Sequence, residues 1–265
     1  MRIATWNVNS VRTRLPHIQS WLARHPVEVL CLQETKVPDD QFPREAFPGY
    51  TCVVAGQKAY NGVAVLTRIP PERVSVGFAP LLGPEWVGQL DEQKRFLHVQ
   101  IQGLEIVNVY VPNGQSVGSD KYDYKLRWLA ALHQYLQRLL LRTSQVCVCG
   151  DWNVAPTDLD IYDPRDKQEH IMASPAERAA FQQVLALSFQ DSFRLFWPEG
   201  GHFTWWDYRA GAFRRNQGWR IDHILISQTL RPWAKNCWID REPRTWQQPS
   251  DHTPVILELD WPPTR

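Results

Sequence analysis

Short apolar segments, each followed by a cluster of polar residues, recur along the whole chain. Residues 2–6 (RIATW) and 27–32 (VEVLCL) are brief, largely apolar runs that predict two strands. Between them, residues 15–24 place three apolar side chains at helical spacing and end at a His-Pro pair, which predicts a helix. The chain therefore begins as strand, helix, strand, and both strands end in polar side chains.

The rest of the chain predicts more strands than helices. Apolar or alternating runs predict seven further strands, at 50–55, 62–67, 97–101, 104–111, 146–148, 221–226 and 254–259, of which 97–101 alternates and is expected to be half-buried. Helical spacing predicts the longest helix at 124–141 after a polar loop at 115–123. The capping box Ser174-Pro175-Ala176-Glu177 starts another helix, which runs to about residue 187. Mixed hairpins and helical crossovers indicate an α/β (α+β) fold, a four-layer sandwich of two packed β-sheets flanked by helices.

Length and composition fit one domain over residues 1–265. Linkers, repeats and low-complexity tracts are absent from the sequence, and no apolar run is long enough to cross a membrane. The N-terminus enters a predicted strand at once, so we expect neither a signal peptide nor a membrane span. Five cysteines without zinc-site spacing are typical of core residues in a reducing compartment, and the expected location is cytoplasmic.

The stretch CGDWNVAPTD, residues 149–158, follows one of the buried strands. Side chains alternate along an extended chain, so Asp151 and Asn153 are expected to point the same way. Gly150 allows a close backbone approach or an unusual φ, and Pro156 ends the extended segment. A simple turn is the alternative interpretation, because Gly, Asp, Asn and Pro are common turn residues.

Polar side chains suited to catalysis stand at the ends of six predicted strands. Three of them, Glu34, Asp151 and Asp251, are carboxylates without thiolate neighbours, a composition that suits Mg²⁺ or Mn²⁺. His252 could pair with Asp222, whose carboxylate would fix the imidazole tautomer and raise its basicity. A salt-bridged surface histidine is the alternative. The complete set is Asn7, Glu34, Tyr110, Asp151, Asn153, Asp222, Asp251 and His252.

Seven motifs, spread in order along the chain, resemble those of the exonuclease III family. They are WNVNSVRTRLP, LCLQETK, NVYVPNG, GDWNVAPTDLDIYDP, FTWWDYR, GWRIDHIL and PSDHTPV. That family comprises abasic-site endonucleases and 3′-repair exonucleases, within the endonuclease/exonuclease/phosphatase superfamily. The resemblance covers essentially the whole chain and implies a deoxyribonuclease I-like fold.

The resemblance also implies a metal site among the strand-end residues. Glu34 would be the principal Mg²⁺ ligand, with Asn7 and Asp251 around it. The number of metal ions stays open, because other residues could form a second metal position. These are Asp151, Asn153 and His252.

Catalytic roles follow from the same resemblance. Asp151 would position or deprotonate the attacking water, and Asn153 would hold the scissile phosphate or the nucleophile. Tyr110 would contact the phosphate and its developing charge. His252, oriented by Asp222, would act as an acid, a base or an electrostatic group on the phosphate side. Phosphodiester hydrolysis needs these elements: an oxygen nucleophile, a cation and help for the leaving alkoxide.

Basic and aromatic side chains alternate in residues 205–220, where Asp207 is the single acid. A solvated surface run would explain the charges alone. Basic groups follow phosphates, however, and aromatic rings pack against sugars and bases, so the mixture favours DNA binding. The resemblance implies that Trp205, Trp219 and Ile221 wall an apolar pocket for a flipped-out baseless sugar. The predicted DNA contacts are Arg12, Lys58, Asn113, Lys121, Lys125, Trp205, Arg209, Arg214, Arg215, Trp219, Arg220 and Ile221.

Together these features predict a Mg²⁺-dependent DNA-repair phosphodiesterase. It would incise DNA 5′ to abasic sites and remove 3′ nucleotides or 3′ blocking groups by in-line attack of an activated water. Double-stranded DNA with abasic sites or damaged 3′ ends is the expected partner of a monomeric enzyme, with no membrane partner. The acid-rich loop 163–170 leaves the balance between the two activities open. The alternatives are a phosphatase or phosphodiesterase of the superfamily acting on a non-DNA phosphate ester, and a catalytically silent DNA-binding module.

Overall fold

The computed structural model describes residues 1–262, which form twelve strands and five α-helices joined by loops and short helical turns. The strands are β1 (Arg2–Asn7), β2 (Val29–Gln33), β3 (Thr51–Ala55), β4 (Val63–Thr67), β5 (Arg73–Val76), β6 (Phe96–Ile101), β7 (Leu104–Tyr110), β8 (Val146–Asp151), β9 (Phe189–Asp191), β10 (Asp222–Ser227), β11 (Ala234–Ile239) and β12 (Val255–Leu259). The helices are α1 (Leu15–Arg24), α2 (Ala79–Leu82), α3 (Pro84–Val87), α4 (Asp120–Leu140) and α5 (Pro175–Ala186).

The strands form two six-stranded mixed sheets. The first has the order β11-β12-β1-β2-β4-β3 and the second the order β5-β6-β7-β8-β10-β9. Only the central pairs β1–β2 and β7–β8 are parallel among the strand pairs of residues 1–262. A parallel pair needs a crossover, and α1 and α4 supply the two crossovers. The sheets have the same plan, with a helix-connected parallel pair in the middle.

Alternate residues of the central strands face different layers. In β8, Cys147 and Cys149 pack between the sheets, whereas Val146 and Val148 pack against α4 and α5. The outer face of the first sheet is covered by α1. Both faces of each sheet are therefore buried, which explains why these strands read as continuous apolar runs. The predicted sandwich of two sheets with outer helices is confirmed.

All nine predicted strands are present, and three strands were missed. These are β5, β9 and β11, which occupy the edges of the two sheets. β5 is largely exposed, β9 has only three residues, and β11 is interrupted by a register shift near its start. Each of the three has one unpaired side and weak alternation, so no local pattern distinguished it, whereas the fourth edge strand, β3, was predicted.

Two local predictions were wrong. The loop predicted at 115–123 ends at Ser119, whose side chain accepts a hydrogen bond from the N–H of Tyr122 and caps α4 from residue 120. β6 is not half-buried: His98 lies beneath α4, with its ring nitrogens 2.8 Å from the Tyr135 hydroxyl and from Oε2 of Glu105. In residues 1–262, no helix has the length and apolarity needed to span a membrane.

Candidate active site

The register of the second sheet brings three predicted catalytic side chains to neighbouring strand ends. Asp151 is the last residue of β8, and Tyr110, the last residue of β7, is its parallel partner. Asp222, the first residue of β10, is its antiparallel partner. Since the first sheet packs face to face with the second, the ends of β1 and β2 bring Asn7 and Glu34 to the same rim.

The amide of Asn7 links carboxylates that follow strands of different sheets. Its Nδ2 donates to Oε1 of Glu34 at 2.8 Å and to Oδ2 of Asp151 at 2.9 Å. The backbone N–H of Asn9 donates to Oδ1 of Asn7 at 3.0 Å, which fixes the orientation of the amide. Asn7 is fully buried, so these bonds are shielded from water. It holds Glu34 and Asp151 close to each other.

His252 lies between two buried carboxylates. Its Nδ1 is 2.8 Å from Oδ2 of Asp222, and its Nε2 is 3.7 Å from Oδ2 of Asp151. Burial lowers the pKa of His252, but the charges of Asp222 and Asp151 outweigh burial and raise the pKa to about 10. Burial raises the pKa of Asp151 to about 7, against the opposing charge of His252. The structure thus contains the Asp222–His252 pair and adds Asp151 to it.

Asp151 and Asn153 lie side by side, but the expected reason was wrong. The strand ends at Asp151, and Asn153 adopts a φ of 49°, so the two residues are joined by a turn and not by extended alternation. The N–H of Asn153 donates to Oδ1 of Asp151 at 2.9 Å, and its Nδ2 donates to the carbonyl of Val111 at 2.9 Å. At Gly150 the close approach is real, because a Cβ there would lie 1.9 Å from the carbonyl oxygen of Val109.

The phenol of Tyr110 is held in its neutral form. Burial, followed by the charge of Glu34, raises the pKa of Tyr110 well above its usual range. The guanidinium of Arg95 lies 4.4 Å from the centre of the Tyr110 ring. A neutral phenol is a hydrogen-bond donor, and this one stands among the carboxylates at the rim.

Left-handed backbone conformations at non-glycine residues are frequent around the site. Such conformations cost on the order of 1–3 kcal/mol each and persist where the surroundings hold them. Backbone hydrogen bonds between the loops after β1 and β2, such as Ser10 N–H to the Glu34 carbonyl at 2.8 Å, provide that support. The residues are Asn9 (φ 44°), Ser10 (91°), Glu34 (52°), Lys36 (57°) and Asn153 (49°).

Glu34, Asp151 and His252 offer ligand atoms that all lie within 4.8 Å of one another. Two carboxylates and the amide oxygen of Asn7 are the donors that a hard divalent cation prefers, so the residues fit such an ion. Asp251 makes other contacts: its Oδ2 accepts from Nε1 of Trp205 at 3.0 Å. Its role as a ligand and the second metal position stay predictions.

A cavity of about 370 Å³ opens next to Trp205, the residue whose indole N–H donates to Asp251, and its lining mixes aromatic rings with polar side chains such as Arg209 and Arg215. Trp219 and Ile221 are buried, and the half-buried Trp205 packs with them in one cluster. The backbone of Trp205 pairs with both Trp219 and His252, so the cavity wall is continuous with the rim. Trp205 and Trp219 therefore line the cavity, whereas Ile221 packs in their cluster without lining it.

Most of the predicted DNA-contacting polar residues are exposed. Arg209 forms an exposed ion pair with Asp207, with Nη2 3.0 Å from Oδ2. The remaining exposed residues are Arg12, Lys58, Asn113, Lys121, Arg214 and Arg215.

Two predicted DNA contacts were wrong. Lys125 is fully buried and forms an ion pair with Glu177. Arg220 is 1% exposed, with Nε 2.7 Å from Oδ1 of Asp160 and Nη2 2.7 Å from Oδ2 of Asp191. Their charges are neutralised inside the protein, so they offer nothing to a DNA phosphate.

Two polar residues of the site were missed from the sequence. Nζ of Lys36 lies 3.1 Å from Oε2 of Glu34 and donates to Oδ1 of Asn9 at 2.5 Å. Nδ2 of Asn9 in turn lies 3.3 Å from Oδ1 of Asp251. Both residues stand two positions from predicted ligands, in WNVNS and QETK, and that spacing was the available signal.

Comparison of the chain with known proteins assigns it to a family. The model of the endonuclease/exonuclease/phosphatase family matches residues 4–252. The exodeoxyribonuclease of Bacillus subtilis is 33% identical over 98% of this chain and 100% of the relative. The exodeoxyribonuclease III of Haemophilus influenzae is 32% identical over 98% of this chain and 100% of the relative. The chain belongs to the exonuclease III family. It is a hydrolase of the endonuclease/exonuclease/phosphatase superfamily, as the motifs predicted.

Solved structures of similar proteins share the fold of this exonuclease III family member. The 3′-5′ exonuclease NExo from Neisseria meningitidis is 43% identical, with a TM-score of 0.93 over 98% of this chain and 100% of that one. A structure of the 3′ phosphatase NExo with a product DNA hairpin gives 42% identity, the same coverage and the same TM-score. An AP endonuclease from Archaeoglobus fulgidus is 37% identical, with a TM-score of 0.90 over 98% and 99%. The predicted deoxyribonuclease I-like fold is confirmed.

Proposed function

We propose that this protein is a DNA-repair phosphodiesterase that incises DNA 5′ to abasic sites and removes 3′ nucleotides or 3′ blocking groups. The observation that carries the proposal is the rim cluster of Glu34, Asp151 and His252, whose side-chain oxygen and nitrogen atoms lie within 4.8 Å of one another and which adjoins the cavity lined by Trp205 and Trp219. The similar proteins support it, since they include a 3′-5′ exonuclease and an AP endonuclease.

Hydrolysis would proceed by in-line attack of water on the phosphorus. Asp151, with a pKa of about 7, is suited to accept the proton of the water near neutral pH. The imidazolium of His252, held by Asp222, would stabilise negative charge on the phosphate. The neutral phenol of Tyr110 would donate to a phosphate oxygen, and the Asn153 amide would hold the phosphate or the nucleophile.

Glu34, Asn7 and Asp251 would hold a divalent cation, for which we propose Mg²⁺ with Mn²⁺ as a substitute. When bound, the cation would offset the charge that builds up on the phosphate oxygens. The Asn7 Nδ2 donates to Glu34 and Asp151 and its Oδ1 already accepts from the N–H of Asn9, so Asn7 would bind a cation through the second lone pair of Oδ1.

The DNA-contacting surface would combine the exposed basic residues with the cavity lined by Trp205 and Trp219. A sugar without its base would enter between Trp205 and Trp219, and an intact nucleotide would be excluded by its size. The exposed Arg214 and Arg215 lie in the same segment as both tryptophans and would bind the flanking phosphates.

The test is cleavage of two duplexes, one with an internal abasic analogue and one with a 3′-phosphate at a nick. We expect chelation to abolish both reactions, Mg²⁺ to restore them, and Glu34→Gln to lower the rate by at least about 100-fold. The matched control is Glu258→Gln, since Glu258 is an acid on β12 that pairs with Arg2. This variant should cleave both duplexes at the wild-type rate. Equal rates with and without chelator, or in Glu34→Gln, would refute the cation site.

The same assay separates DNA from other phosphate esters. Trp219→Ala should weaken cleavage at the abasic analogue while sparing a small diester such as bis(p-nitrophenyl) phosphate. Faster turnover of inositol phosphates than of either duplex would favour the non-DNA alternative, and DNA affinity without turnover would favour the silent module.

We further propose that residues 1–265 act as one domain and as a monomer in the cytoplasm. One apolar cluster lies between the two sheets and the family match runs through both, which supports a single domain. Light scattering at several protein concentrations should give the mass of one chain, and a concentration-dependent mass would contradict this.

A further inference from the structure

A buried ion pair fastens the loop that carries Asn153. Lys125 on α4 and Glu177 in the first turn of α5 are both fully buried, and Nζ of Lys125 donates to Oε1 of Glu177. Two charges in a protein interior are tolerated only when their remaining donors and acceptors are also used. The pair therefore identifies a place where the interior is organised around specific polar partners.

The other two N–H groups of Lys125 bind the loops at the rim. Nζ donates to the carbonyl of Asn153 at 2.7 Å and to the carbonyl of Asn113 at 3.1 Å. These carbonyls belong to the segments that follow β8 and β7. All three ammonium donors are thus engaged, two of them on backbone within the proposed active site.

Glu177 binds a second segment with its carboxylate. Oε1 accepts from the N–H of Met172 at 2.9 Å, and Oε2 accepts from the N–H of Ser174 at 3.1 Å and from its hydroxyl at 2.7 Å. The Ser174 hydroxyl also lies 2.7 Å from the hydroxyl of Tyr122, one turn before Lys125 on α4. The segment 172–174 is therefore tied to both helices.

Each member of the pair holds a residue with a left-handed backbone. Asn153 has a φ of 49° and Met172 a φ of 71°. Lys125 binds the carbonyl of the first, and Glu177 binds the N–H of the second. Met172 packs in the apolar cluster of the cavity wall. One ion pair thus supports both the catalytic loop and the cavity.

We propose that Lys125 and Glu177 are positioning residues, which set the backbone of Asn153 and Met172 and thereby place the Asn153 amide against Asp151. The inference rests on the proposed function in that the Asn153 amide is taken to hold the phosphate or the nucleophile. Lys125 and Glu177 themselves contact neither, because both are buried behind the loop.

Three variants and one control test the proposal. Lys125→Met removes the three donors but leaves Glu177 buried without its partner, so it confounds position with stability. The double variant Lys125→Met/Glu177→Gln removes both charges and keeps the shape. Lys125→Arg restores a cation with several donors. Leu136→Ala, a buried position on the same helix that packs in the core cluster, supplies a matched loss of stability without touching the loop.

We expect the double variant to lose about 100-fold in kcat on the abasic-analogue duplex, since small displacements of a catalytic group have effects of that size. KM should change by no more than about threefold if ground-state binding is retained. Lys125→Arg should recover most of kcat. Leu136→Ala should retain the wild-type kcat when it is assayed below the temperature at which this variant unfolds. Hydrogen exchange of the backbone N–H of Asn153, which donates to Oδ1 of Asp151, should accelerate in the double variant alone.

Wild-type kcat and an unchanged Asn153 exchange rate in the double variant would overturn the proposal. A loss of kcat that Leu136→Ala reproduces at equal stability would overturn it as well. If the wild-type protein cleaves neither duplex, the proposed function fails, but the exchange measurement still decides whether the ion pair positions Asn153.

Discussion

At Asp151, neighbouring groups act on a single carboxylate in opposite directions. Burial and the charges of Asp222 and Glu34 favour the protonated form, whereas His252 and the Asn7 amide favour the ionised form. The resulting pKa of about 7 lies near the pH at which a general base works best. Since each charge and hydrogen bond comes from one identified side chain, substitutions can separate these contributions from that of burial.

Asp222→Asn tests the charge that acts on His252 most directly. Because Asp222 raises the pKa of His252, its loss should lower that pKa by about 1–3 units in the metal-free protein. In Asp222→Asn, the imidazolium of His252 should therefore lose its proton at a lower pH than in the wild-type protein. An NMR titration of the imidazole C–H resonance measures the midpoint. Asp260→Asn, at an exposed pair with Lys235, is the control. An unmoved midpoint in Asp222→Asn would contradict the pairing.

At the scale of the strand, β10 presents consecutive residues to different environments. Asp222 faces the rim, and His223 faces α5, where its ring lies 5.0 Å from the ring of Phe181. Nε2 of His223 donates to the carbonyl of Val154 at 2.8 Å, which identifies Nε2 as a protonated ring nitrogen. Burial, with a smaller contribution from Arg220, lowers the pKa of His223 to about 4.

This shift links His223 to acid stability. Between pH 6.5 and pH 4, His223 is protonated in the unfolded chain but not in the folded protein. The contribution of His223 to the free energy of unfolding is therefore fully present above pH 6.5 and is lost as the pH falls through about 4. The loss is about 3 kcal/mol. Because the raised pKa of Asp151 acts oppositely in this window, the quantity to measure is a difference. Urea titration gives the free energy of unfolding of both proteins. When the pH is lowered from 7 to 4, the value for His223→Gln should rise by about 3 kcal/mol relative to that of the wild type.

A constant difference in stability between His223→Gln and wild type across that range would show that His223 has the same pKa in the folded and the unfolded chain, and would contradict the prediction. Ser20→Ala, at an exposed position on α1, serves as the control, because it adds no titrating group. Its stability difference from wild type should not vary with pH.

The strands and helices also show where local sequence patterns have predictive power. The central strands are apolar on both faces, and the polar residues after them were visible as strand ends, so Asp151, Glu34 and Asp222 were placed together before any coordinates. Lys125 and Arg220 were misassigned because their partners lie far away in sequence. Glu177 is 52 residues after Lys125, and Asp160 is 60 residues before Arg220. No local pattern distinguishes a lysine that meets a buried glutamate from one that meets DNA.

Over the whole molecule, the net charge of +1 conceals a division between buried and exposed cations. Lys125 and Arg220 are matched by carboxylates inside the protein, whereas Arg214 and Arg215 are exposed near the cavity. Attraction of DNA depends on the second group, since only charges that reach phosphates release counterions on binding. Binding strength and stability should therefore respond to different arginines.

Arg214→Ala and Arg220→Met separate these effects in one experiment. Arg214→Ala should reduce the salt dependence of binding by about one phosphate contact and change stability by no more than about 0.5 kcal/mol. Arg220→Met leaves Asp160 and Asp191 without their shared cation, so it should cost about 3–5 kcal/mol of stability while the salt dependence of the folded protein stays the same. Fluorescence anisotropy of an abasic-analogue duplex from roughly 50 to 200 mM salt gives the slope, and urea unfolding gives the stability. If Arg220→Met altered the slope as much as Arg214→Ala, Arg220 would reach DNA after all, and its assignment to the interior would be wrong.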